Sequence, residues 1–132
     1  MIEYMLDSDI CIYVMKRKGV GLVDIFDRNL DALCISSIVL SELAFGAEKS
    51  QHRHRSLETL DTFVSLLKIE PFGADAARDY GRLRAHLEQE GTPCGPLDTL
   101  IGAHARSLGL TLVTNNRREF DRMPGLKVEN WV

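Results

Sequence analysis

The sequence predicts an α/β protein whose parallel sheet is covered by helices on both faces, and three observations carry that prediction. Short, mainly apolar runs recur at Ile2–Leu6, at "ALCIS" (residues 32–36) and at "LTLVT" (residues 110–114). They lack the strict polar alternation of a half-exposed strand, as expected for strands buried on both faces. Longer stretches with apolar residues at helical spacing separate them, and capping or turn residues mark the joins.

The elements follow in order. Asp7, Ser8 and Asp9 can each cap a helix, and "ICIYVMK" continues as the first one. Val20, Val23, Phe26 and Leu30 share a helical face in a second segment. After "ALCIS", Ser36 and Ser37 precede the helix "IVLSELAFGAEK". "LETLDTFVSLL" then aligns Leu57, Leu60, Phe63, Val64 and Leu67. "KIEPF" is a weak strand, and Asp75 begins a long helix reaching about Glu88. "EGTPCGP" is dense turn chemistry, after which Pro96 suits the first turn of a helix that Gly109 stops. "LTLVT" is followed by a short helical turn around Glu119 and a last piece, "LKVENW". No linker or repeat interrupts residues 1–132, so one domain is expected.

Composition narrows the functional classes. With 45% hydrophobic and 27% charged residues the chain reads as an ordinary soluble protein. No apolar run is long enough to span a membrane, and the start lacks signal-peptide features. Three widely spaced cysteines (Cys11, Cys34, Cys94) suit a reducing cytoplasm better than a disulfide framework or a zinc site. The net charge of -3 does not suggest a nucleic-acid binder in bulk, but Lys16-Arg17-Lys18, Arg53 with Arg55, and Arg117-Arg118 with Arg122 form local basic clusters. Short charge runs are ordinarily solvated surface, and the sequence assigns no RNA-binding residue.

The acids are more informative. Asp7 ends the first strand, where parallel sheets place ligands, and a carboxylate there is costly unless something positive meets it. Asp9 reads first as a helix cap, which leaves Asp7 without a capping role to explain it. Glu42 stands in an apolar helix, on its exposed edge or held for chemistry. Asp98 lies in a first helical turn, where the macrodipole favours an ionised carboxylate, and Glu119 follows the last core strand. Acids from separate elements that meet at one point call for a cation, and oxygen ligands select Mg²⁺ or Mn²⁺. His104, His52 and His54 read as core or surface residues rather than ligands. No Walker, nucleophile-elbow or zincin motif occurs.

"YMLDSDICIYVMK", "CISSIVLSELAFGAEKS", "GPLDTLIGAHARSLGLTLVTNNRREF" and "GLKVENW" resemble, in that order, the PIN-domain ribonucleases, specifically the VapC toxins of bacterial toxin–antitoxin pairs. The resemblance covers nearly the whole chain. It implies a parallel sheet of four or five strands with helices on both faces, and Mg²⁺- or Mn²⁺-dependent RNA cleavage. The family's acids fall on Asp7, Glu42 and Asp98. Many members carry a further aspartate where this chain has Asn116, so Glu119 or Asp121 is expected to substitute through water, with Asn116 and Asp9 secondary. The subgroup with "MLD-[TS]-[ND]-I-C-I" and "TNN-x-REF" implies cleavage of initiator tRNA in the anticodon stem-loop. A VapB antitoxin and a homodimer are implied with it. In-line attack by water would leave a 5′-phosphate and a 3′-hydroxyl. Two other classes share features: a haloacid-dehalogenase-type phosphatase with Asp7 as nucleophile, and a phospho-acceptor receiver domain. The first lacks Thr or Val where Cys11 stands, and the second lacks an acceptor aspartate after the third strand and a lysine after the fifth.

Overall fold

A computed structural model describes residues 1–132. Five strands, β1 (Tyr4–Leu6), β2 (Leu33–Ser36), β3 (Lys68–Glu70), β4 (Thr111–Val113) and β5 (Lys127–Glu129), form one sheet in the order β3-β2-β1-β4-β5. Every pairing is parallel, with Met5 opposite both Cys34 and Leu112. Parallel neighbours need crossovers, and the helices supply them: α1 (Ser8–Met15), α2 (Leu22–Arg28), α3 (Ser37–Glu48), α4 (Arg53–Val64), α5 (Ala74–Gln89), α6 (Pro96–Leu108) and α7 (Arg117–Phe120).

Successive strand residues point to opposite faces, and Met5 and Leu6 are both fully buried, so the central sheet is covered on each side. Ile10, Ile35, Ile101 and Leu112 extend this core. The edge strands carry Lys68, Glu70, Lys127 and Glu129, charges that discourage further strand pairing. Gly102 in α6 leaves space that Met123 and Leu126 fill, which seats the segment leading into β5 against α6.

Two expected elements are shorter or shifted. Val20 lies outside the second helix and is fully exposed, because Gly21 at φ 80° turns the chain before α2 begins; Leu22 takes the buried position instead. The helix expected from Leu57 already starts at Arg53.

α5 and α6 are joined by a buried ion pair. Arg106 donates from Nε (2.8 Å) and Nη2 (3.0 Å) to the two carboxylate oxygens of Asp79, and from Nη1 to the Pro124 carbonyl (2.9 Å). The guanidinium holds the Asp79 carboxyl below its ordinary range. Arg106→Met would strand that carboxylate and should cost about 3 kcal/mol in urea unfolding. Arg82→Met, which removes an exposed partner of the same acid 3.3 Å away, should cost less than about 1 kcal/mol.

Candidate functional site

The three central strands end together at the carboxyl edge of the sheet, where the sequence places its acids. Asp7 follows β1 and is 5% exposed. Contrary to the expectation that Ser8 or Asp9 takes the cap, Asp7 itself caps α1: its Oδ1 accepts from the Ser8 N–H at 2.8 Å. Its Oδ2 accepts from the Thr114 hydroxyl at 2.8 Å, and its N–H donates to the Val113 carbonyl at 2.9 Å. Capping therefore fixes Asp7 without removing it from the edge. Asp9 is a tether: its Oδ1 accepts from the Ile10 N–H (2.7 Å) and its Oδ2 from the Asn115 N–H (3.0 Å), tying α1 to the loop after β4.

Glu42 projects from α3 and is partly buried; its Oε1 is shielded from solvent and has no hydrogen-bond partner. Asp98, in the first turn of α6, is partly buried beside Glu119. Glu119 reaches back from α7, and both its oxygens accept from the Gly95 N–H at 3.3 Å. Asn116 is exposed, and its backbone N–H donates to Thr114 Oγ1 at 2.9 Å. Asp121, the other residue considered for the fourth acid, pairs with Arg117 instead.

The electrostatics are those of like charges forced together. Burial first, then the Asp9 and Glu42 carboxylates, raise Asp7 from 3.8 to about 6. Asp98 is pushed well above the carboxylate range by burial, by a hydrogen bond to Glu119 and by the Asp7, Glu119 and Glu42 charges. The same bond lowers Glu119, so of the two acids Asp98 is the one pushed toward its neutral form. The helix dipole expected to keep Asp98 ionised is thus outweighed by its neighbours. Burial also raises Glu42, partly offset by the Ser8 hydroxyl.

None of Asp7, Asp9, Glu42, Asp98 and Glu119 forms an ion pair with a basic side chain. No three His, Cys, Asp or Glu side chains are drawn into a ready-made metal cage. The donor set still fits a hard divalent cation: it is all oxygen, net negative, and includes a shielded unpartnered oxygen on Glu42. The residue that sequence reasoning overlooked is Thr114, fully buried and bonded to Asp7. Its signal was a hydroxyl directly after the buried end of β4.

Residues 4–126 match the PIN domain model, and the chain belongs to the PIN-domain family. PIN-domain nucleases depend on divalent metal ions. The chain is 46% identical over 131 residues to the tRNA(fMet)-specific endonuclease VapC of Shigella flexneri, covering 99% of each chain. It superposes on a chain of DNA-bound VapBC from Salmonella typhimurium with a TM-score of 0.96 at 44% identity, and on a chain of VapBC2 from Rickettsia felis, bound to a promoter DNA fragment, with 0.93 at 41%. Each matched chain is covered in full, as is this one. Family membership sets aside the phosphatase and receiver-domain alternatives.

A carboxylate with a raised folded-state value holds its proton more tightly in the folded protein than in the unfolded chain. Its stabilising contribution is complete below about 3.8 and is lost as pH rises through about 6 for Asp7, and higher for Asp98. In EDTA, the melting temperature should therefore fall between pH 5 and pH 8. Asp98→Asn should flatten that slope and raise the melting temperature at pH 8. An unchanged slope in the variant would show that Asp98 is not the group holding the proton.

Proposed function

We propose that this protein is a VapC-type toxin, an endoribonuclease that inhibits translation by cutting initiator tRNA in the anticodon stem-loop. Residues 1–132 act as one PIN domain, in the bacterial cytoplasm, as a homodimer within a larger complex in which a VapB-type antitoxin neutralises it. The observation that carries the reading is the meeting of Asp7, Glu42, Asp98 and Glu119 at one sheet edge with no cationic side chain paired to any of them.

Asp7, Glu42 and Asp98 would hold Mg²⁺, with Mn²⁺ as a substitute, and Glu119, Asn116 and Asp9 support them. The bound ion supplies Lewis acidity, activating water and neutralising charge on the scissile phosphate. The chain's own groups prepare for this. The Ser8 N–H and the Thr114 hydroxyl fix both oxygens of Asp7, so little reorganisation is left for the reaction. The Asn115 N–H holds Asp9 and keeps its charge near Asp7. Glu119, anchored on Gly95, positions Asp98 and takes up its proton's hydrogen bond.

Asp7→Asn keeps the shape and the acceptor for the Ser8 N–H, requires the Thr114 hydroxyl to accept rather than donate, and removes a charge. It should abolish RNA cleavage and growth inhibition while leaving the metal-free fold as stable as before, or more so by about 1–3 kcal/mol. Sequencing the RNA ends made by the wild type with Mg²⁺ should show 5′-phosphates within the initiator tRNA anticodon loop. Wild-type cleavage by Asp7→Asn would refute the assignment. Calorimetric Mn²⁺ titration separates the remaining acids. Asp98→Asn should lose tight binding, whereas Glu119→Gln should weaken it roughly 10–100-fold, the scale of an outer-sphere partner.

A further inference from the structure

One cleft of about 580 Å³ opens between α1, α3 and α4, and its lining includes Ser8 and Glu42, so it is continuous with the carboxylate site. Lys16, at the end of α1, and Arg55, in the first turn of α4, also line it, and neither makes an ion pair. The contrast with Arg53 is informative: that side chain is committed to Glu48 at 2.7 Å, while Arg55, two residues on, is left free.

The α3 face beside the cleft has the same character. Glu42, Phe45, Gly46 and Lys49 stand at i, i+3, i+4 and i+7 and so share one side of the helix. Phe45 is 65% exposed, unusual for a large apolar ring, and Lys49 Nζ lies 5.0 Å from its centroid. Gly46 lies on the cleft wall and faces open space, a Cβ there meeting no atom within 4 Å. Next to a cluster of carboxylates, unpaired cations and an exposed ring suit a strand that carries both phosphates and unstacked bases.

Resting on the ribonuclease reading above, we infer that this cleft is the track for single-stranded RNA flanking the scissile phosphate. Lys16 and Arg55 engage its backbone, and Phe45, backed by Lys49, stacks a base. The cations offset the repulsion that the acids exert on a polyanion, and the ring gives purchase on an exposed loop without reading one base.

The test is steady-state cleavage of a labelled tRNA anticodon stem-loop by the full-length protein with Mg²⁺, repeated at several KCl concentrations. Lys16→Gln and Arg55→Gln should each raise KM severalfold, with a smaller effect on kcat. Each should also flatten the dependence of log KM on log salt by about one. Phe45→Ala should raise KM on the order of tenfold, and Phe45→Trp should recover the loss. If the wild type cuts but both cation variants keep its KM and salt slope, the track is wrong while the ribonuclease reading stands. If those variants cut normally yet escape inhibition by the antitoxin, the cleft belongs to the antitoxin and the proposal is overturned. A wild type that cuts no RNA would remove the ribonuclease reading and this proposal together.

Discussion

Everything at the working edge of this molecule depends on how the three central strands end. β1, β2 and β4 run into Asp7, Ser36 and Thr114, and each of these side chains accepts a backbone N–H just downstream, from Ser8, Ile38 and Asn116. The apolar strands can therefore stop in a buried place without leaving the next segment's donors unsatisfied. The capping groups are also linked to other elements: Thr114 donates to Asp7, and Ser36 shares a 2.8 Å hydrogen bond with His104 of α6. Starting helices and assembling a polar site are here the same task.

Two buried acids show how the fold separates stability from chemistry. Asp79 is 7% exposed and Asp7 is 5% exposed, a negligible difference. Asp79 receives a two-pronged guanidinium and is held in its charged form. Asp7 receives a backbone N–H and a hydroxyl, sits among further carboxylates, and is pushed toward its neutral form. A chain selected for stability alone would have treated both alike. The uncompensated charge is confined to one edge, and there it is fixed by hydrogen bonds rather than neutralised.

Much of this was legible in the sequence, because strands buried on both faces and turns rich in Gly and Pro are local signals. Ile2–Leu6, "ALCIS" and "LTLVT" each overlap an observed strand, and Pro96 opens α6 as its fixed φ suggests. Val20 was misleading because periodicity cannot see that Gly21 adopts a left-handed conformation. The acids stood out in the sequence by position, but the environments that folding gives them did not. Asp98 obeys the local rule for a first-turn acid, and only folding brings Glu119, Asp7 and Glu42 close enough to defeat it. Thr114 escaped for the same reason: its partner lies 107 residues away.

Asn116 is where the local pattern and the assembled site part company. Its side chain stands exposed in the loop after β4, and what it contributes inward is a backbone N–H to Thr114. The neighbouring negative charge comes instead from Glu119, in the single turn of α7, which bends back to the Gly95 N–H and meets Asp98. This substitution changes more than the address of a carboxylate. An acid at position 116 would belong to the loop that Asp9 tethers, whereas Glu119 belongs to the α6 side of the edge and hydrogen-bonds to Asp98 there. Bonding to Asp98 and to the Gly95 N–H favours the charged form of Glu119, while burial and its acidic neighbours disfavour that of Asp98. One contact thus pushes the two acids in opposite directions, and the α6 side of the edge holds its charge on Glu119 more readily than on Asp98.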